Sequence, residues 1–203
     1  NDAISVMNKV MSTENPLENS NFDLPNEKKF MNLVSAIGAF GLDSKFKGFD
    51  ESTINSTKVY RNGGIGYIPR KEIIRSVEVI DMWKIFIPRA GSGSDSFPHP
   101  ILGKPFLGEP NSISSWTYMH IGPFENQLEA QNAISYIQTR LFRFLVLMHK
   151  PSQDATSSVY TFVPMQDFSK PWTDEELYAK YGINKDEIAF IESLIRPMEL
   201  DNE

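Results

Sequence analysis

Between residues 125 and 149, the side chains Ala130, Ile134, Ile137, Leu141, Leu145 and Met148 fall on one helical stripe. No other feature restricts the fold as much. At about 100° per residue, Tyr136, Arg140 and Arg143 lie on the opposite side, while residues 141–148 are apolar nearly all round. Such a helix must be covered on several sides, so the rest of the chain has to supply apolar partners for it. The 14 Phe, 7 Tyr and 3 Trp do so, and 203 residues with 40% hydrophobic content can bury one sizeable core. Disorder throughout is excluded.

The texture upstream is different. From Thr57 onward, β-branched and aromatic residues are broken by glycine: Lys58-Val59-Tyr60, then Arg61-Asn62-Gly63-Gly64, then Ile65-Gly66-Tyr67-Ile68. The Asn-Gly-Gly string supplies the positive φ angles of a tight turn and predicts a hairpin. Further strands are expected over 77–80 continuing into 83–87 and halted by Pro88, over 116–121 halted by Gly122-Pro123, and over 158–163. The segment 89–115 is loaded with Gly, Ser and Pro and reads as a long loop.

Ile4, Val6, Met7, Val10 and Met11 predict a short amphipathic helix over 3–12, read as the end of a connection from a missing upstream domain, and 13–26 reads as a linker. Residues 28–37 fit a short helix or an apolar strand. At the other end, Thr173 to Glu176 and Asn184 to Glu187 are capping boxes that open two helices separated by Gly182. The expected fold is mixed α+β: a twisted β-sheet with one long packed helix and a small C-terminal helical appendage. Its expected parts are 1–27 as helix and linker, 28–170 as the α/β domain and 171–203 as the tail.

Net charge is −6, but residues 1–27 carry −4, residues 173–203 carry −6, and residues 28–172 carry +4. The middle is mildly basic, as a phosphate-contacting domain or a bland solvated surface would be. No run approaches 20 apolar residues, no signal-peptide layout opens the chain, and cysteine is absent. These features predict a cytoplasmic protein without membrane partners, disulfides or thiolate chemistry. A chain opening on Asn1 suggests an excised piece, with motifs expected upstream.

Several strings in fixed order then carry a resemblance: Trp83-Lys84-Ile85-Phe86-Ile87-Pro88-Arg89-Ala90; Gly122-Pro123-Phe124-Glu125 leading to Ala133-Ile134-Ser135-Tyr136-Ile137; Leu141-Phe142-Arg143-Phe144-Leu145; Val159 to Phe168; and Trp172 to Leu177 with Ile188 to Pro197. Over about residues 30–198 the chain resembles the C-terminal target-recognition region of bacterial restriction-modification, adenine-specific DNA methyltransferases. The resemblance implies a two-part enzyme in which an S-adenosylmethionine-binding domain methylates adenine N6 and this region chooses the DNA sequence. The catalytic signature, an Asn/Asp-Pro-Pro-aromatic motif, does not occur; Asn15-Pro16-Leu17 lacks the second proline and the aromatic residue. Gly63-Gly64-Ile65-Gly66 is a weak cofactor-loop candidate. The expectation is a segment that is not catalytic by itself, with double-stranded DNA, its own methyltransferase domain and a restriction subunit as partners, and with S-adenosylmethionine bound by the missing domain.

Base reading needs donors and acceptors on projecting elements. The candidates are Arg89, Ser92 and Ser94 in a Gly/Ser loop; Arg61 and Asn62 at the hairpin tip; Arg70 and Lys71 just after it; and Lys45 and Lys47 around Phe46. The plain alternative for each is a solvated loop. Arg140 and Arg143 are further candidates, although burial against carboxylates is favoured for them. Gln153 and Asp154 fit a base contact or a solvated turn, and Lys84, inside an apolar run, fits an edge or a buried partner better than chemistry. Two competing classes remain open. One is a docking module using the acidic terminal helices; the other is a metal-dependent nuclease using Asp23, Asp43 and Lys45.

Overall fold

The structure is a computed structural model that describes residues 2–16, 22–91, 96–149 and 156–198. Its elements, in chain order, are α1 (Asp2–Glu14), β1 (Ser56–Arg61), β2 (Gly64–Pro69), β3 (Trp83–Pro88), β4 (Phe106–Gly108), β5 (Ser112–Ser114), β6 (Tyr118–Phe124), α2 (Gln127–Gln138), α3 (Arg140–Leu147), α4 (Asp174–Tyr181) and α5 (Lys185–Leu194). The class is mixed α+β. The strands form two three-stranded sheets, β2-β1-β5 and β4-β3-β6, in place of a single sheet.

Strand β3 shows how the layers divide. Its Ile85 and Ile87 enter the main core with the helices, while Phe86 between them points the other way and joins Val59, Ile68 and Ile113 of the second sheet. Alternation along a strand allows this, because successive side chains leave on opposite faces. Helices therefore cover one face of β4-β3-β6, and β2-β1-β5 packs toward the other.

The single long helix expected over 125–149 is two helices. Thr139, at φ −63° and ψ 151°, ends α2 and caps α3, its hydroxyl accepting from the Phe142 backbone N–H at 3.2 Å. The Asp174 carboxylate accepts from the Arg140 and Leu141 N–H groups at 2.9 and 3.0 Å. The break turns the apolar 141–146 stretch to where α4 and α5 can meet it. Around it, Phe30, Tyr136, Phe142 and Tyr160 pack edge-on or tilted, with centroids 4.9 to 6.0 Å apart.

Both ends of the chain belong to the main core. Val6, Val10, Leu177, Ile191 and Ile195 are buried in the same cluster as α2 and α3, so the core runs across the divisions expected at 27/28 and 170/171. Polar contacts reinforce this. Lys9 reaches Glu187 at 2.6 Å and Ser5 reaches the same carboxylate at 2.7 Å, while Glu14 accepts from Lys180 and Tyr181 at 2.7 Å each. Burial works against the Glu14 charge, yet Lys180, Tyr181 and Lys28 hold its carboxyl below the usual range.

Other expectations shift in detail. The predicted strand over 158–163 is a 3-10 turn, Ser157–Tyr160, and Val77–Val79 is likewise 3-10 instead of strand. Residues 28–37 contain the 3-10 turn Phe30–Leu33. Strand β6 continues through Gly122-Pro123, because the register slips between Trp83 and Ile85 and the extra residues bulge opposite Lys84. The loop read over 89–115 contains β4 and β5, and β5 pairs parallel to β1 with Val59 opposite Ile113. Both capping boxes form as expected. Among the described residues, no helix is long and apolar enough to cross a membrane.

Candidate nucleic-acid interface

The β1–β2 hairpin is antiparallel over six pairs, from Ser56 opposite Pro69 to Arg61 opposite Gly64. Gly63 and Gly64 take φ of 80° and 133°, which a side chain would resist, so the turn follows from the glycines that predicted it. Asn62, Gly63, Gly64 and Ile65 are all exposed, and the tip projects. The Gly63 to Gly66 string leads into a strand, not a helix, and so lacks the strand-turn-helix geometry of a cofactor loop.

Loop 43–49 is fastened to the outer edge of β2. Phe49 and Tyr67 exchange two backbone hydrogen bonds at 2.8 and 2.9 Å. The Lys47 carbonyl lies against Gly66 so closely that a Cβ there would collide with it, and the Arg61 Nε is beside the same glycine. Gly48, at φ 70°, makes the bend. These contacts bring Lys47 and Arg61, separate patches in the sequence, to one edge, and Lys45 precedes them on the same loop. Asp43 turns back to accept from the Lys45 N–H at 2.8 Å. Lys45 and Lys47 are exposed; Arg61 is half-buried, its guanidinium donating to the Asn62 carbonyl at 3.1 Å. Among the described residues, Lys45, Lys47, Arg61 and Lys71 make no ion pair.

The remaining candidates separate. Arg70 grips Asp81 in a two-pronged pair at 2.6 and 2.5 Å, and that carboxylate raises the guanidinium pKa further. Lys71 beside it is exposed. Arg89 is placed 5.8 Å over the Trp116 ring, and that indole in turn packs on Gly38, where no Cβ would fit. Ser92 and Ser94 of its loop, like Gln153 and Asp154, lie outside the described residues.

Arg140 and Arg143 leave the interface for a physical reason. Arg143 is 0% exposed, and its guanidinium donates to the carbonyls of Thr139, Pro100, Arg196 and Gln138 at 2.7 to 3.3 Å. Burial pulls its pKa down to about 10, and the remaining charge ties α3 to the segments at Pro100 and Arg196. Arg140 pairs with Glu192 of α5 at 2.8 Å.

Lys84 is also 0% exposed, on the central strand of its sheet. Its ammonium donates to the Ile80 and Glu109 carbonyls at 3.1 and 3.2 Å, and Gly108 opposite leaves room for its stem. Burial lowers its pKa to about 8, against the pull of Glu109 and Asp81. Close by, Lys58 and Tyr60 both bond Glu109, the latter at 2.7 Å. His120, its ring 5.1 Å from Phe40, has a buried Nδ1 without a hydrogen-bond partner; burial first, and Lys84 second, push its pKa to about 4.

The competing classes fare differently in geometry. Asp23 pairs with Lys29 at 2.7 Å while Asp43 closes its own turn, so the two carboxylates weighed for a nuclease are engaged separately. Several acids of the described tail are engaged within the chain, Glu187 with Lys9, Glu176 with Lys170, Glu192 with Arg140 and Asp174 at the start of α3, while Glu175 and Asp186 are exposed. Sequence reading missed Phe49 altogether, although it is 64% exposed between candidate lysines and the hairpin. No protein-family model matches the chain, and no curated protein is similar to it.

Proposed function

We propose that this chain is a DNA-reading segment, not catalytic by itself, whose contact edge is the β1–β2 hairpin with loop 43–49. The observation that carries the reading is the fastening of that loop by Phe49 and Tyr67, with the Lys47 backbone and Arg61 both against Gly66, Lys45 earlier on the same loop and Asn62 exposed at the hairpin tip. A two-stranded ribbon fits the major groove. Lys45 and Lys47 hold phosphates, and Arg61 and Asn62 reach guanine and adenine edges respectively. The source of the reading is the resemblance to adenine-specific restriction-modification methyltransferases, whose upstream domain would bind S-adenosylmethionine and methylate the chosen adenine.

Asp50 and Glu51 follow Phe49 and offset part of the positive charge, so non-specific binding is weak and the chain depends on direct contacts. The test is selection from a random duplex pool at low and moderate salt, with sequencing of the retained DNA. Enrichment of one short motif, lost in the Lys47→Ala/Arg61→Ala double variant, is the expected result. Retention of no duplex at low salt, or identical enrichment by the double variant, overturns the reading.

A further inference from the structure

Phe49 is an aromatic side chain held out into solvent by a rigid backbone. It is 64% exposed, yet its own N–H and C=O are both bonded to Tyr67, at 2.8 and 2.9 Å. The residue before it, Gly48, bends at φ 70° and packs on the Phe46 ring and the Tyr67 backbone, leaving no room for a Cβ. The loop thus cannot fold Phe49 back into the core without breaking that bridge. Direct pairing places Phe49 and Tyr67 on one face of the ribbon. Ile65, two residues along β2, is on the same face and 45% exposed. Arg61 and Gly66 occupy the opposite face, and exposed Lys47 lies two residues before Phe49 in the chain.

Exposing a large apolar ring forgoes the burial free energy that most of the 14 phenylalanines gain, so its position two residues from the exposed Lys47 is chemically informative. A flat π surface two residues from an exposed lysine suits the face of a nucleobase, with a phosphate beside it for that cation. Apolar side chains carried into DNA on such a rim partly unstack a base step.

Resting on the DNA-reading proposal, we infer that Phe49 stacks on a base at an unstacked step of the duplex, so that the ligand is DNA opened at one step and not an unperturbed helix. Lys47 holds the adjacent phosphate. Ile65 fills the space beside the ring, and the hairpin tip reads the neighbouring pairs.

The experiment uses the full chain with fluorescent duplexes, one perfectly paired and one containing a single mismatch, each with 2-aminopurine at the opened position. The wild-type protein binds the mismatched duplex about tenfold tighter and quenches the 2-aminopurine. Phe49→Ala lowers affinity by about 5- to 100-fold and abolishes the preference and the quenching, while Phe49→Trp restores all three. The side chain is outside the core, and thermal unfolding of each variant checks that the fold is kept. Equal binding by Phe49→Ala with quenching unchanged overturns the stacking role and leaves DNA reading intact. Absence of binding by the wild-type protein to either duplex at low salt overturns DNA reading itself. Retained binding with loss only in Lys47→Ala assigns the edge to phosphates and overturns stacking.

Discussion

Arg143 and Arg61 are both sequence candidates for DNA, and the two halves of the molecule use them in opposite ways. In the helical half, Arg143 has no exposed surface and its guanidinium is surrounded by backbone carbonyls; Glu14, Glu187 and Asp174 are similarly bound to internal partners. In the hairpin half, Lys45, Lys47 and Phe49 are exposed at the rim, and Arg61 is half-buried there with its guanidinium donating to the Asn62 carbonyl. Charge in the first half fixes the relative placement of helices. In the second, Lys58 and Arg70 are paired, while Lys45 and Lys47 at the rim make no ion pair among the described residues. Residue type alone is therefore a poor guide to binding, and the location of each charge relative to the core decides its use.

The sharpest way to break this contrast is Arg143→Met. It leaves four carbonyls without their donor and should destabilise the chain by about 3–5 kcal/mol in urea unfolding, whereas Arg61→Ala should change stability by under about 0.5 kcal/mol. Similar values for the two would erase the distinction. Lys84 offers a pH handle within the buried half. Its folded pKa, about 8, is below the unfolded value, so the unfolded chain binds more protons between the two and stability rises with pH through that window. Between pH 7.5 and 9.5, wild-type protein should gain about 1–2 kcal/mol relative to Lys84→Met. Above that range the buried tyrosines Tyr160 and Tyr136, whose pKa values burial raises, act in the opposite direction. A flat difference across the window would place the Lys84 ammonium in contact with water.

Much of the fold was legible wherever the determining contacts are local. Asn62-Gly63-Gly64 predicted the hairpin, and Thr173 with Glu176 and Asn184 with Glu187 predicted two helix starts, because turn and cap chemistry is settled within four residues. The break at Thr139 was not legible. Its stripe of apolar residues continues unchanged, and the group that stabilises the second start, Asp174, is more than thirty residues away. The strand expected at 158–163 failed for a related reason: its β-branched residues match a strand, but Val159 and Tyr160 are buried among Phe30 and Phe142, where a 3-10 turn packs them. For the site, three basic patches could be named but not assembled, since the Phe49 to Tyr67 bridge that joins two of them is a non-local pairing.

Thr139→Ala probes the break directly. Loss of the cap should cost about 1 kcal/mol in thermal or urea unfolding, and no loss would mean that Asp174 alone holds the start of α3. The smallest effect is at the rim. Replacing Asp50 and Glu51 by Asn and Gln should strengthen DNA binding by about two- to fivefold at low salt, a gain that fades as salt rises. No change in filter or fluorescence binding would place those carboxylates away from the phosphates.

The joining of α1 to α5 has a consequence during synthesis. Val6 and Val10 are covered by residues near position 190, and Lys9 finds Glu187 only after that glutamate exists. At about 5–20 residues per second, the ribosome leaves the first helix without its final partner for about 10–40 seconds. Throughout that interval its apolar face is open to chaperones and to aggregation, so release of the C-terminal helices, more than folding of the hairpin, sets when the nascent chain becomes safe.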